Sequence, residues 1–176
     1  MCLFWAVTTW NDSNAGYDMD MSTPPAQTDV ATTGIIVVDH GSRREESNAM
    51  LLQVVEAYRQ QTQWQIVEPA HMEIAEPLIP TAFDRCVERG AKRVVVMPYF
   101  LLPGKHWHED IPAITAEAAA KHPGIEYLVT APLGLSSLIH QVIDNRIGEC
   151  MECVEGQIPE CDLCKGTGRC LNWQQA

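Results

Sequence analysis

The sequence is poor in basic residues, and it lacks a long apolar run and the common nucleotide-binding motifs. Its 12 lysines and arginines stand against 23 aspartates and glutamates, a formal net charge of −11. This balance argues against a nucleic-acid partner, because such proteins need cationic patches that displace counterions from phosphate. No apolar run approaches the ~20 residues that a membrane span requires. GxGxxG, GxxxxGK[ST] and GxSxG are all missing, so nothing indicates a dinucleotide site, a P-loop or a hydrolase elbow.

Export and transit signals are also missing from the beginning of the sequence. The first basic residue is Arg43, which leaves no basic n-region and no Arg-rich transit peptide before it. We therefore expect a cytoplasmic protein. Residues 1–32 show no sustained hydrophobic period and are predicted to be a flexible extension, with Met19 or Met21 as possible alternative starts.

What the chain does have is a regular alternation of short β-branched runs and amphipathic helical segments. With 176 residues and 46% hydrophobic residues it can bury one core of ordinary size. The order βαβαβαβα predicts an α/β fold, a four-stranded parallel sheet flanked by helices over residues 33–148. The predicted strands cover residues 34–40, 64–70, 93–98 and 126–130.

The helical segments are predicted from apolar spacing and terminal signals. Ser42 with Glu45 matches a capping box for the first helix, and a second helix is expected over residues 76–89. Asp110 is the expected acidic cap of the third helix. The last helix places six apolar residues on one face: Leu135, Leu138, Ile139, Val142, Ile143 and Ile147.

Histidines are concentrated in the loops that follow the first three strands. Four of the six histidines lie there: His40, His71, His106 and His108. The carboxyl ends of parallel strands share one edge of the sheet, where ligands bind in such folds. Imidazole binds divalent cations and accepts protons near neutrality, so this cluster, with Glu73 nearby, indicates a site for either task. Each histidine taken alone is more simply an incidental loop residue.

Donors for an anionic ligand are expected beside the first of these histidines. The backbone N–H groups of Gly41 and Ser42 lie at a predicted helix start, and Arg43 and Arg44 follow. A solvated first turn explains the two arginines equally well.

Three spaced segments carry a family resemblance that covers roughly residues 34–147. They are Val38–Arg43 (VDHGSR), Ala70–Pro77 (AHMEIAEP) and Val96–Pro112 (VMPYFLLPGKHWHEDIP). Together they resemble the class II tetrapyrrole chelatases, most closely the short sirohydrochlorin chelatases of the CbiX/SirB type. The resemblance implies a lyase that inserts Fe²⁺ into sirohydrochlorin without ATP. Cobalt- or nickel-inserting homologues are the alternative, and a non-catalytic metal or iron–sulfur carrier is an alternative of another class.

The resemblance also implies roles for individual residues. His40 and His106 would bind the metal or accept the pyrrole protons, and Glu73 would assist them; the roles of His71 and His108 stay open. The remaining candidates would bind the substrate, the basic and polar ones through its carboxylates and the apolar ones as a clamp, although ordinary loop packing explains the latter equally well: Ser42, Arg43, Arg44, Lys105, Tyr99, Phe100, Leu101, Leu102 and Trp107. Short relatives pair two copies to complete the cleft, so a homodimer is expected.

Five of the seven cysteines crowd into residues 149–176, which we expect to form a Cys-rich tail. Without an export signal, paired CxxC motifs are more typical of metal ligands than of disulfides. The tail resembles that of plant-like sirohydrochlorin ferrochelatases, which implies an iron–sulfur cluster; zinc and unmetallated thiols are the alternatives. The expected ligands are Cys150, Cys161, Cys164 and Cys170, with Cys153 as a possible substitute. A regulatory or bridging role is more plausible for this tail than the metallation chemistry itself.

Overall fold

The computed structural model describes residues 29–166 and contains four strands and four α-helices in strict alternation. The predicted 1–28 part of the extension, and Cys170, lie outside the described residues. The observed bounds are β1 Thr33–Asp39, α1 Glu45–Gln61, β2 Ile66–His71, α2 Ile79–Glu88, β3 Arg93–Pro98, α3 Ile111–Ala119, β4 Glu126–Val129 and α4 Ser137–Val154. No helix among residues 29–166 is both long and apolar enough to cross a membrane.

All four strands are parallel and lie in the order β2-β1-β3-β4, which confirms the predicted fold class. β1 occupies a central position because its apolar residues are buried on both faces of the sheet. Asp39 at the end of β1 stands in register with His71 at the end of β2. The carboxyl ends of β1, β2 and β3 therefore meet at one edge.

The core forms two layers, one on each face of the sheet. On one face, alternate residues of β1 and β3 pack against α2 and α3, with Phe83 and Ile111 fully buried between them. On the other face α1 covers β1 and β2 through Leu51 and Val55. Burial of each such side chain is worth about 1.5–3 kcal/mol, so these contacts fix the strand ends firmly.

The start of α1 differs from the predicted capping box. The helix begins at Glu45 without a side-chain cap. Instead, the Asn48 side chain accepts from the Ser42 N–H and donates to the Ser42 carbonyl, both at 2.9 Å. A carboxamide carries both a donor and an acceptor, so the single side chain of Asn48 satisfies both the N–H and the carbonyl of Ser42.

The start of α3 also differs from expectation. A π-helical turn, His106–Asp110, precedes the helix, and the Ile111 N–H donates to the His106 carbonyl. Asp110 makes no side-chain cap bond. Its carboxylate is taken by a histidine side chain, as described below.

The apolar face of α4 is exposed in the described part of the chain. Ser136 caps the helix, since its Oγ accepts from the Leu138 N–H at 3.3 Å, but no residue of α4 is buried. Four apolar residues of this face are half or more exposed: Leu138, Val142, Ile143 and Ile147. The helix also extends beyond the predicted domain boundary at residue 148. It ends at Val154, two residues before Gly156, which has a positive φ.

Candidate metal and proton-transfer site

His40, Glu73 and His106 meet at the carboxyl edge of the sheet. The His40 and His106 rings are edge to face, with centroids 5.1 Å apart. The His40 Nε2 atom lies 3.2 Å from Glu73 Oε1. The side chains are 43%, 46% and 54% exposed for His40, His106 and Glu73 respectively. The loops after β1, β2 and β3 thus place two imidazoles and a carboxylate in one open crevice.

The π-helical turn fixes the orientation of His106. Its Nδ1 atom lies 2.7 Å from Asp110 Oδ2, four residues on, and the Phe100 ring lies 6.5 Å away by centroids. A carboxylate only accepts hydrogen bonds, so Nδ1 carries the hydrogen and Nε2 keeps its lone pair. This arrangement, a carboxylate behind an imidazole, is the one that orients metal-binding histidines.

Gly41 allows the loop after β1 to lie against the loop after β2. It adopts φ +84°, and a Cβ built there would lie 2.0 Å from the Glu73 carbonyl oxygen. The Glu73 N–H donates to the His40 carbonyl at 3.2 Å. Only glycine permits both this φ and this approach, and the contact brings the two loops close enough for His40 to reach Glu73.

Glu73 is held by a tight turn. The Ala75 N–H donates to the Glu73 carbonyl at 2.8 Å, and Ile74 between them has φ 72°. This is the geometry of a γ-turn with a β-branched residue in a left-handed conformation, which costs about 1–3 kcal/mol. The surrounding contacts therefore hold this backbone in place at the residue that carries the carboxylate.

His71 lies behind this crevice rather than in it. Its side chain is 1% exposed, and its Nδ1 atom lies 2.5 Å from Asp39 Oδ1. The same Asp39 oxygen accepts from the Gly41 N–H at 2.9 Å. His108 is exposed and packs its ring on Trp107, with centroids 4.4 Å apart.

Comparison with known proteins identifies the family. The CbiX family model matches residues 34–150. The chain belongs to the CbiX family.

Curated relatives and a solved structure agree with this assignment. The chloroplastic sirohydrochlorin ferrochelatase of Arabidopsis thaliana is 57% identical over 137 residues, 78% of this chain and 61% of the relative. The sirohydrochlorin cobaltochelatase of Methanococcus maripaludis is 40% identical over 80 residues, 46% of this chain and 56% of the relative. The crystal structure of Bacillus subtilis SirB in complex with cobalt superposes with TM-score 0.64 at 29% identity, covering 66% of this chain and 50% of SirB. This chain thus spans half to three fifths of their lengths.

Within this CbiX fold, the expected backbone donors for an anion are occupied. The Gly41 N–H donates to Asp39 and the Ser42 N–H to Asn48. The loop thus uses both N–H groups to hold its own shape, and binding of a carboxylate by them stays a prediction. Arg43, Arg44 and Lys105 are exposed at the rim of the same edge.

The predicted apolar clamp divides into an exposed part and an anchoring part. Tyr99, Leu101 and Leu102 are exposed, whereas Phe100 is half-buried beside His106. The Trp107 Nε1–H donates to the Thr130 carbonyl at 2.8 Å. Trp107 therefore anchors the π-helical turn to the end of β4, which argues against a role in gripping substrate.

Two features of the site escaped the sequence-based reasoning. Asp110 was expected to cap a helix, although the His106–Asp110 spacing of four residues is the signal of a same-face pair on a helix. A groove of about 270 Å³ also opens between the start of α1 and Tyr99, lined by Asp39, Glu46, Ser47, Met50, Leu51, Val54 and Tyr99. Met50 is exposed in this groove, and no pattern in the sequence predicted that position.

The described cysteines of the tail do not form a metal cluster by themselves. Cys150 and Cys153 belong to α4, and Cys161 and Cys164 to a turn beyond it. Within residues 29–166 no group of three or more His, Cys, Asp or Glu side chains is placed to hold a metal ion. The Cys161 thiol nevertheless suits a thiolate ligand, because hydrogen bonds from the backbone N–H groups of Cys164 and Leu163 lower its pKa.

Proposed function

We propose that this CbiX-family chain inserts Fe²⁺ into sirohydrochlorin, without ATP, to give sirohaem and two protons. The observation that carries the proposal is the convergence of His40, His106 and Glu73, with imidazole centroids 5.1 Å apart. The name of the Arabidopsis relative, a sirohydrochlorin ferrochelatase, supports this substrate and this metal. A cobaltochelatase reaction is the alternative, supported by the name of the Methanococcus relative.

The metal enters the reaction as a substrate, and His106 is suited to hold it. Its Nδ1 is taken by Asp110, so its Nε2 lone pair is the one available to Fe²⁺. An ion bound by a single imidazole, or by two, keeps most of its positions for water and then for the four pyrrole nitrogens. Such an open site releases its cargo, whereas a closed site of four protein ligands would retain it.

His40 and Glu73 are suited to take up the pyrrole protons. Two pyrrole N–H bonds break and four Fe–N bonds form, so two protons must leave. Both ring nitrogens of His40 face oxygen acceptors at 3.2 Å, Nδ1 the Gly41 carbonyl and Nε2 the Glu73 carboxylate. A neutral imidazole can donate to only one of them, so a proton taken up by the His40–Glu73 pair satisfies both contacts. Both groups are partly exposed, so the first proton exchanges with water before the second arrives.

The rim of the crevice supplies contacts for a large polycarboxylate ring. Tyr99, Leu101 and Leu102 offer apolar surface to the macrocycle, and Arg43 and Lys105 offer positive charge to its side arms. The net charge of −11 does not prevent binding, because repulsion between separated charges is screened beyond ~8 Å at physiological salt.

The proposal is tested by an anaerobic metallation assay, in which the absorbance spectrum of sirohydrochlorin is followed with Fe²⁺ and Co²⁺ in parallel. Replacing His40 or His106 by Ala should lower the rate by about 10²–10⁴-fold, the usual contribution of a proton-transfer or metal-binding group. His108→Ala is the matched control, since this exposed histidine lies in the same π-helical turn as His106. The variant should metallate sirohydrochlorin at nearly the wild-type rate.

Two outcomes would contradict the proposal. A protein that binds Fe²⁺ and leaves the tetrapyrrole spectrum unchanged would be a carrier on this scaffold. A rate with Co²⁺ well above that with Fe²⁺ would establish the cobaltochelatase alternative.

The chain is also proposed to act as a homodimer. It spans 50% of the length of SirB, so two copies would supply a comparable amount of structure. α4 leaves an apolar face uncovered within the described residues, with Leu138, Val142 and Ile147 all more than half exposed. Exposed apolar surface of this extent is typical of interaction sites.

Light scattering during size-exclusion chromatography tests this proposal. We expect a mass about twice the 19.6 kDa of the chain. Val142→Asp should give a monomer, because it places a charge in the centre of the α4 face. Leu52→Asp, an exposed position on α1, is the control and should leave the mass unchanged. A fully active wild-type monomer would refute the dimer.

The C-terminal cysteines are proposed to bind an iron–sulfur cluster, with zinc as the alternative. Cys161 and Cys164 would supply one pair of thiolates, and Cys170 with Cys150 or Cys153 the rest. Anaerobically purified protein should then be brown with charge-transfer absorption. Colourless protein with one equivalent of zinc would refute the cluster.

The location of the protein stays a prediction. The sequence favoured the cytoplasm, whereas the Arabidopsis relative is named as chloroplastic. A fluorescent fusion of the full-length gene product would decide between these two compartments.

A further inference from the structure

A hydrogen-bonded histidine–aspartate pair connects the two strands from which the reactive side chains extend. Asp39 and His71 are register partners at the ends of β1 and β2, and Asp39 Oδ1 lies 2.5 Å from His71 Nδ1. The His71 side chain is 1% exposed and that of Asp39 26%. Neither residue touches the open crevice through the groups just named.

The hydrogen-bonding pattern makes His71 a costly choice for a core position. Because Asp39 accepts, the His71 hydrogen is on Nδ1, and Nε2 keeps a lone pair. That Nε2 atom is buried and has no hydrogen-bond partner among residues 29–166. A buried polar atom without a partner destabilises the folded state, and an apolar side chain of similar size would avoid this. The unpartnered Nε2 atom therefore offsets part of what the buried ring contributes by packing, which suggests that the value of His71 lies in holding Asp39.

Asp39 in turn holds the loop that carries His40. The oxygen bonded to His71 also accepts the Gly41 N–H at 2.9 Å, and this bond spans His40. The Asp39 carbonyl accepts from the Met72 N–H at 2.8 Å and the His40 carbonyl from the Glu73 N–H at 3.2 Å. A rotation of the Asp39 carboxylate would release Gly41, and with it the approach of His40 to Glu73.

We propose that the Asp39–His71 pair is a positioning element for the proton-accepting His40–Glu73 pair. His71 fixes the Asp39 rotamer, Asp39 fixes the turn at Gly41, and the turn sets the 3.2 Å contact between His40 Nε2 and Glu73 Oε1. The expected effects on kcat rest on the proposed metallation activity. The positioning of the turn at Gly41 rests on the hydrogen bonds alone. Neither member of the pair is a catalytic residue, since both act through Gly41.

His71→Leu is the first test, with kcat, KM and the urea midpoint measured together. We expect kcat to fall about tenfold or more, because small displacements of reacting groups are costly. KM should change little, and the urea midpoint should stay or rise, because the orphaned Nε2 atom is removed. A loss of activity without a loss of stability is the result that a purely structural role would not give.

Two further variants make the test specific. His71→Asn places a carboxamide N–H where the Nδ1–H of histidine lies, and it should recover most of the kcat. His122→Leu breaks a His–Asp pair outside the crevice, in which His122 Nε2 lies 2.6 Å from Asp84 Oδ1 on α2; kcat should be unchanged. Failure of His71→Asn to restore kcat above that of His71→Leu would overturn the proposal.

Amide hydrogen exchange supplies a measurement that does not depend on activity. The Gly41 N–H should exchange faster in His71→Leu than in wild type, and at the wild-type rate in His122→Leu. Unchanged Gly41 exchange in His71→Leu would refute the positioning role even in a protein that metallates nothing. Faster Gly41 exchange in His71→Leu, combined with a wild-type protein that does not metallate sirohydrochlorin, would instead leave the positioning role standing and refute the proposed function.

Discussion

Gly41→Ala is expected to separate His40 from Glu73 by a predictable distance. A Cβ at Gly41 would lie 2.0 Å from the Glu73 carbonyl oxygen, and real Cβ contacts are not found under 3.0 Å. The two loops must therefore move apart by about 1 Å, which takes the His40–Glu73 contact from 3.2 Å to beyond hydrogen-bonding distance. A displacement of about 1 Å in a reacting group can cost about 10²-fold in rate.

Gly90→Ala is the matched control for this substitution. Gly90 has φ +95°, close to the +84° of Gly41, but its Cβ would meet nothing within 4 Å. Alanine in this conformation costs about 1–2 kcal/mol, offset by about 0.4–1 kcal/mol from the unfolded chain. The control should thus lose up to about 1.5 kcal/mol of stability in urea and none of its activity. If Gly41→Ala metallates sirohydrochlorin as fast as Gly90→Ala, the clash does not govern the site and the reasoning fails.

Other predictions concern stability. Burial raises the pKa of the Cys86 thiol to about 12. Above pH ~9 this thiol therefore ionises only in the unfolded state, and the free energy of unfolding falls as pH rises. Urea titrations should show this fall in wild type and less of it in Cys86→Ala. Gly34→Ala should destabilise by about 1–3 kcal/mol, because its Cβ would lie 2.8 Å from that of Cys86. Arg89→Met should destabilise by about 3 kcal/mol in thermal melts by removing the 2.5 Å partner of Glu68, which is 7% exposed; a loss under 0.5 kcal/mol would show that Arg85 compensates.

The layered fold followed from the sequence because its signals are local. The β-branched run 93–98 is long enough and uniform enough to specify a buried strand without knowledge of its neighbours, and β3 has those bounds. The burial of α4 could not be inferred in the same way. An apolar face shows that a helix needs a partner, but Val142 and Ile147 carry no information on whether that partner belongs to the same chain.

The candidate site was predictable in its membership and not in its internal connections. Topology alone brings the loops of His40 and His106 to one edge, since parallel strands end together. Which side chain pairs with which depends on rotamers and turns. The Asp110 carboxylate bonds to His106 instead of capping α3, and the Asn48 side chain bonds to Ser42 in place of the expected capping box. Both hydrogen bonds depend on backbone geometry that the composition of the sequence does not encode.

The π-helical turn before α3 sets the spacing of the pair that orients His106. It closes one turn with one residue more than an α-helical turn holds, and α3 beyond it is fixed by buried Ile111 and Thr115. Deleting one residue between positions 106 and 110 would let the segment rewind as regular helix with the imidazole at nearly the same angle around the axis, because both kinds of turn close about one revolution. The imidazole would then lie three residues from its carboxylate instead of four while the core stayed intact, so a deletion here should disturb the orientation of one ring rather than the folding of the chain.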